Sequence, residues 1–436
     1  MQKFTYRTKE ALLTAAEEAG VQLPYSEDLS VLSSPVTIGE SHVALRNRLT
    51  IHPMEGFDST IDGAPGELTL RRCDRFATGG AGLIWLEATT VVEEGRTSEG
   101  QLWIHDGNVD AFKALAERMH QRSGGTPLIL QLTHSGRFSR PHNKPAPVIS
   151  YHNPLMNEKM MIDPDYPVVT DEYLDSLPEI FGHAAKLARD AGFDGVDIKC
   201  CHKYLFSELL SAYNRPGRYG GSFENRARVF FDSIEAAAAW ETKDFVLASR
   251  LGLYDCLPYP WGFGADHDDY LQIDWDEPEK LLTGAYERGV RLIDMTLGSP
   301  YINPHVNRPY DGGGYEPPET QLTGVARLLD AAAHMKKTCP GITLIGTGYS
   351  YLRQFAPNVA AAVVEAGMAD AAGFGRLAFA YPDFARDILE KGALDTKKIC
   401  LTCSKCTAMM RQIHATGCPI RDREVYTPMY QELFGK

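Results

Sequence analysis

The chain has 436 residues, 44% hydrophobic and 23% charged, which is ordinary globular composition and length enough for one large barrel or two medium domains. A formal net charge of −13 argues against nucleic acid or an anionic membrane as partner. The first twenty residues alternate charge and alanine without an apolar signal region, and no run reaches the ~20 apolar residues of a membrane span. Nine cysteines, four of them crowded at the C-terminus, suit a reducing compartment and a metal site better than a disulfide framework. A cytoplasmic enzyme is expected.

In chain order, an amphipathic helix over 8–19 and an irregular lead-in precede a strand at 48–53. A helix over 66–78 is stopped by Gly79-Gly80, and the apolar run 81–86 ends in Glu87. Helix 109–122 leads to strand 128–133. The insert 135–167 is so rich in Pro, His and Asn that no regular structure is expected there. Helix 171–191 leads to strand 195–199, and helix 223–240 to strand 245–250. A second insert, 254–275, precedes helix 278–289 and strand 290–296, and a third loop, 298–318, is heavy in Gly, Pro and Tyr. Helix 320–337, strand 342–346, helix 353–366, strand 371–376 and helix 382–391 complete the alternation.

Eight short apolar strands, each followed by a helix, predict an α/β protein folded as a (β/α)8 TIM barrel. An open doubly wound sheet is the alternative, but no dinucleotide-binding glycine fingerprint follows a first strand. The expected organisation is an N-terminal extension (1–40), a barrel (41–395) and a C-terminal cysteine-rich segment (396–436). In such a barrel the chemistry lies at the carboxyl ends of the strands, here Pro53, Glu87, Gln131, Lys199, Arg250, Thr296, Gly346 and Arg376.

The stretch from Ile198 to Arg228 concentrates reactive groups: Lys199, Cys200, Cys201, His202, Lys203 and Tyr204 directly follow an apolar run. A phenol such as Tyr204 delivers a proton well where nearby cations stabilise its anion, and Lys199 and His202 can anchor a carbonyl or carboxylate oxygen. The plainer alternative makes Tyr204 a core aromatic and Lys199 a snorkelling surface residue. The last two strands end in Gly346-Thr347-Gly348 and Gly373-Phe374-Gly375-Arg376, where glycine amides and a guanidinium can hold a phosphate; two tight turns and a surface arginine are the alternative. Gln131 and Arg250 can read a pyrimidine-like ring and stabilise negative charge on it, or form an internal core pair. In the tail, Cys400, Cys403 and Cys406 at C-x2-C-x2-C spacing with a remote Cys418-Pro419 match the ligand pattern of a [4Fe–4S] cluster. Tetrahedral zinc and unligated thiols remain alternatives.

Arg46-Asn47-Arg48 leading to Pro53-Met54, Gln131 through Arg137, Asp194 through Leu205, Tyr219 through Arg226, and Gly373 through Arg376 together resemble the old yellow enzyme family of NADH:flavin oxidoreductases, over roughly residues 30–395. The cysteine tail is similar to that of the iron–sulfur branch containing 2,4-dienoyl-CoA reductase and trimethylamine dehydrogenase, whose chains continue into further nucleotide-binding domains that this one is expected to lack. The resemblance implies FMN at the barrel mouth, bordered by Pro53, Met54, Glu55 and Ala88. It implies Gln131 on the pyrimidine edge, Arg250 by N1, Gly348, Gly375 and Arg376 on the phosphate, and Tyr204 as proton donor.

Three departures from the family pattern stand out. Lys199 stands where histidine is common, paired with His202. Glu55 replaces a small residue or thiol; turned inward, it could pair with Lys199 or act as a base. No cysteine is placed for a covalent flavin link. The expected activity is reduction of an activated C=C bond, with NAD(P)H or an electron-transfer protein as donor. The alternatives are a dehydrogenase oxidising an amine or related small substrate, and a non-catalytic zinc-stapled subunit. A small-molecule substrate and a homo-oligomer are expected; nucleic acid and membrane are not.

Overall fold

The computed structural model describes residues 3–435. Eight parallel strands follow one another around a closed barrel: β1 (Leu49–Ile51), β2 (Leu83–Thr90), β3 (Leu128–Thr133), β4 (Gly195–Ile198), β5 (Val246–Gly252), β6 (Val290–Thr296), β7 (Thr343–Gly346) and β8 (Ala371–Phe374). Closure comes from β8 pairing in parallel with β1, with Ala372 opposite Leu49. The helices α1 (Glu67–Ala77), α2 (Val109–Ser123), α3 (Asp171–Asp190), α4 (Phe223–Ala238), α5 (Asp276–Glu287), α6 (Gln321–Thr338), α7 (Ala356–Glu365) and α8 (Phe384–Lys391) cover the outside. Thr170, Ser222 and Thr320 start α3, α4 and α6 by accepting the N–H of Tyr173, Asn225 and Thr323, which satisfies a donor the helix itself cannot.

Residue parity divides each strand between two cores, because successive strand side chains point to opposite faces. Ile84, Leu86, Leu128, Leu130, Val196 and Ile198 pack outward against the helices. Leu83, Trp85, Ile129, Val246, Ala248, Leu292, Ile345 and Ala371 fill the barrel interior, whose lower end is plugged by Ile38, Val43 and Leu45. The last three belong to or flank a short antiparallel hairpin of Val36–Thr37 with Ala44–Leu45, which the lead-in did not announce. Two residues further along each strand the same inward parity turns polar: Ile129 gives way to Gln131, Ala248 to Arg250, and Leu292 to Asp294. The barrel is therefore apolar below and charged at its carboxyl end, where the site must lie.

Several expectations need correction. The insert 135–167 contains a helix, Pro154–Met160, whose start is fixed by Asn153 capping Met156 N–H and by proline in the first turn. The helix expected from 353 begins at Ala356, because Arg353, at a left-handed φ of 51°, kinks the 3-10 segment Tyr349–Phe355 that precedes it. The third loop carries one helical turn, Pro304–Asn307. The cysteine tail holds two helices, Lys405–Arg411 and Tyr426–Phe434. That tail is tied to the barrel. Thr416 N–H donates to Gly56 C=O at 2.6 Å, Asp311 N–H donates to Thr402 C=O at 3.1 Å, and Arg71 and Arg75 both clamp Asp422. Among the described residues no helix is long and apolar enough to cross a membrane.

Just beyond β3, His134 is buried and neutral. Its Nδ1 accepts from Gly136 N–H at 3.0 Å, so Nε2 donates to Tyr173 Oη at 2.8 Å, and Tyr173 donates in turn to Glu94. Burial pushes the imidazole down to about 3. A folded-state value below the unfolded one means stability that is complete above pH ~6.5 and drains away as pH falls toward ~3. Chemical denaturation at pH ~7 and ~4 should therefore show a loss about 3 kcal/mol greater in the wild type than in His134→Gln, whose amide does not titrate. Equal losses would contradict this reading.

Candidate functional site

At the carboxyl end of the barrel, where barrels keep their chemistry, lies a cavity. Pro53, Met54 and Glu55 after β1, Gln131 on β3, Lys199 after β4, Arg250 on β5, Gly348 after β7, and Gly375 and Arg376 after β8 all line it. His202 and Tyr204 reach it from the turn beyond β4. Among the predicted residues Ala88 is the exception. It is buried in β2 away from the cavity wall, and its carbonyl accepts from Gln101 Nε2 at 3.1 Å.

The floor is organised by two buried carboxylates. Gln131 and Asp197 face each other in register, and Gln131 Nε2 donates to Asp197 Oδ2 at 2.5 Å while Trp85 Nε1 donates to the same oxygen at 2.9 Å. Burial raises the Asp197 carboxyl to about 6. Arg250 faces Asp294 across the next pair of strands, with Nε 3.1 Å from Oδ2, and donates to the Pro53 carbonyl at 3.2 Å. His52 Nδ1 also lies 2.9 Å from Asp294 Oδ2. Its ring occupies the space a side chain at Gly373 would need: a Cβ there would come within 2.1 Å of it.

A second group of residues makes an anion cradle. Gly348 adopts a left-handed φ of 98°, which turns the chain after β7 toward the cavity. Arg376 Nη2 donates to Pro309 C=O at 2.8 Å, whereas its buried Nη1 has no partner. Arg308, from the loop after β6, is half-buried beside it and donates to Ser404 Oγ at 3.2 Å, and desolvation together with the Arg376 charge pulls it down to about 10. Neither guanidinium makes an ion pair within the described residues. Two neighbouring guanidiniums without an ion-pair partner among the described residues, one of them buried with an orphaned donor, make a site suited to an anion.

The third group is the reactive corner. His202 and Lys203 both take left-handed φ values, 66° and 61°, in a turn anchored by the fully buried ion pair of Lys203 Nζ with Asp255 Oδ2 at 2.6 Å. Tyr204 is 2% exposed. It donates to Glu55 Oε1 at 2.9 Å and lies 2.9 Å from Tyr301 Oη. Lys199 Nζ sits 3.8 Å from the Tyr204 ring centroid and 3.9 Å from Glu55 Oε1. Glu55 thus points inward. Burial, the Glu55 charge and the Tyr301 hydroxyl hold the Tyr204 phenol well above its ordinary value. Burial and the nearby Arg250 and Lys199 charges push His202 well below its own, so its ring is neutral. Asn307 Nδ2 lies 3.3 Å from His202 Nε2 and donates to Thr296 Oγ1 at 2.7 Å and Leu297 C=O at 3.1 Å. Burial also lowers Lys199, so it is a weaker cation than a surface lysine.

Cys400, Cys403, Cys406 and Cys418 line one separate small pocket, together with Arg376 and Arg421. No three His, Cys, Asp or Glu side chains among the described residues converge closely enough to grip a single metal ion. Helix Lys405–Arg411 follows directly from Cys403 and sends Thr407 and Met410 into the wall of the large cavity. Arg376 borders both spaces.

The contribution of Tyr301, Asn307 and Arg308 was missed from sequence, since their loop showed only its Gly, Pro and Tyr content. His52, Thr407 and Met410 were missed too. For His52 a signal existed: it lies one inward step beyond Thr50 on β1.

A model of the NADH:flavin oxidoreductase / NADH oxidase family matches residues 31–260. The chain is 31% identical over 275 residues to an NADPH dehydrogenase of Bacillus cytotoxicus, covering 62% of this chain and 72% of the relative. It is 34% identical over 262 residues to one of Halalkalibacterium halodurans, covering 59% and 70%. In fold it is similar to 2-naphthoyl-CoA reductase (TM-score 0.72, 20% identity, 92% of this chain and 58% of that one). It is also similar to morphinone reductase (TM-score 0.60, 23% identity, 84% and 92%) and to histamine dehydrogenase of Rhizobium sp. 4-9 (TM-score 0.67, 19% identity, 90% and 52%). The chain thus spans little more than half of the first and last of these structures.

Proposed function

The chain belongs to the NADH:flavin oxidoreductase / NADH oxidase family, and from that premise we propose that it is an FMN-dependent reductase of activated C=C bonds. It is an oxidoreductase, as its NADPH dehydrogenase relatives are by name. The observation that carries the finer reading is the Tyr204 phenol in the cavity wall, with Lys199 over its ring and neutral His202 in the same wall.

The residues present fit FMN. Arg376, with its orphaned Nη1, Arg308, Gly348 and Gly375 would hold the phosphate, Gln131 the pyrimidine edge, and Arg250 the N1 side. Bound there, FMN supplies a hydride to one carbon of the substrate. Lys199 and the ring N–H of His202 would hold a substrate carbonyl oxygen and draw charge onto it. Tyr204 would protonate the other carbon, and Lys199 and Tyr301 would stabilise the phenolate left behind. Removing the phosphate fork should show directly: Arg376→Gln should weaken FMN binding by roughly 10- to 100-fold in titrations of the apoprotein. Unchanged affinity would place the phosphate elsewhere.

For the four tail cysteines the C-x2-C-x2-C spacing with a remote Cys-Pro favours a [4Fe–4S] cluster over zinc, and Arg376 and Arg421 beside them would balance the negative charge that four thiolates bring. With Arg376 bordering both spaces, electrons could reach the cavity from an external donor through the tail. A small-molecule nicotinamide and an electron-transfer protein are the two candidate donors.

Glu55 favours a second reading. A carboxylate turned into the cavity can hold a cationic amine, as a dehydrogenase of amines requires. Mixing experiments without oxygen decide between them. Enzyme reduced by NAD(P)H and reoxidised by an enone or enoate supports the first reading. Reduction by amines with no reoxidation by alkenes supports the second and overturns the first.

A further inference from the structure

The hydrogen bonds around Tyr204 have a direction. A phenol carries one proton. If Tyr204 donates that proton to Glu55 Oε1, the 2.9 Å contact with Tyr301 Oη must be a bond from Tyr301 to Tyr204. With Glu55 ionised the chain therefore runs from Tyr301 to Tyr204 to Glu55, and the Tyr204 proton is held by the carboxylate instead of being free for a substrate. A proton on Glu55 Oε1 reverses the second bond: the carboxyl becomes the donor, Tyr204 the acceptor, and the phenol proton is free to face a substrate. We propose that Glu55 is the proton store for Tyr204, and that Tyr204 acts as an acid only while Glu55 holds a proton.

The step balances. The Tyr204 O–H bond breaks as a C–H bond forms at the substrate carbon, whose electron pair comes from the hydride addition of the proposed reaction. The Glu55 Oε1–H bond breaks as the Tyr204 O–H bond re-forms, and the Glu55 carboxylate regains its proton from water. Three surroundings suit Glu55 to this. Its side chain is 10% exposed, so it communicates with solvent while its partner does not. Thr97 Oγ1, from the loop after β2, donates to its other oxygen, Oε2, at 3.4 Å and leaves Oε1 to Tyr204. Lys199 Nζ lies 3.9 Å from Oε1 as a neighbouring cation. The charged and titratable groups that face Glu55 are Lys199 and Tyr204 from the segment after β4, Tyr301 through Tyr204, and Glu87 on β2, whose buried carboxyl feels the Glu55 charge.

This inference rests on the proposed alkene reduction, and the test separates the two. Holoenzyme reduced by NAD(P)H is mixed anaerobically with an enone across a pH series, using the wild type, Glu55→Gln and Glu55→Asp. The wild-type rate should fall as pH rises and Glu55 loses the proton it must pass on. Glu55→Gln should be slower by about 10- to 100-fold and lose that pH dependence, and Glu55→Asp should keep it. A Glu55→Gln enzyme with the wild-type rate and profile overturns the proposal. If no alkene reoxidises the wild type, the infrared carboxylate band identified by its loss in Glu55→Gln still decides. Its appearance should move to higher pH in Tyr204→Phe, which removes the donor to the carboxylate, and an unmoved band overturns the coupling.

Discussion

Replacing Tyr204 by phenylalanine should slow reoxidation of the reduced enzyme by an enone by about 10²- to 10⁴-fold, the usual contribution of a positioned general acid. Reduction of the flavin by NAD(P)H should be unaffected, because that half of the cycle moves no proton through Tyr204. The substitution removes one oxygen and keeps the ring, so the packing of Tyr204 against Phe138, at 6.0 Å between centroids, survives and the fold is retained. Two hydrogen bonds are lost, one to Glu55 and one from Tyr301, and both partners then face the cavity, where water can reach them. Stopped-flow absorbance measures the two half-reactions separately. Equal slowing of both would mean a distorted pocket, and no slowing of either would remove Tyr204 from the chemistry.

The second large effect concerns the tail. If the tail holds the proposed cluster, Cys403→Ser should abolish its broad visible absorption and most of the protein-bound iron while the chain still folds, since Cys403 is only half-buried in a segment docked onto the finished barrel. Loss of the cluster should also loosen Thr407 and Met410, which this segment places in the cavity wall. FMN is therefore expected to be held less firmly in Cys403→Ser, a coupling that a purely barrel-borne site would not show. Iron analysis and flavin retention on gel filtration measure both. Full iron content in the variant would exclude Cys403 as a ligand.

The sequence carried the barrel because its signal is repetitive: short apolar runs alternate with helices that begin at Thr170, Ser222 and Thr320. It also carried the floor of the site, because strand parity places Gln131, Asp197, Arg250 and Asp294 inward above an apolar interior. Side chains on loops follow no such period. Tyr301 and Arg308 reach the cavity only because a long loop folds back over the barrel mouth, and nothing local to their sequence encodes that return. Glu55 was visible as an unusual residue, but its orientation depends on Tyr204, 149 positions away. The helix Pro154–Met160 was missed for a different reason: the polar composition of the insert hid a local Asn-Pro start signal.

The central claim is a flavin across the barrel mouth that passes reducing equivalents to an activated alkene. The most direct measurement is the visible spectrum of the protein purified without oxygen. The account predicts flavin bands that bleach on adding NAD(P)H or a chemical reductant and return on adding an enone. A protein that shows no flavin band even after incubation with FMN would contradict it.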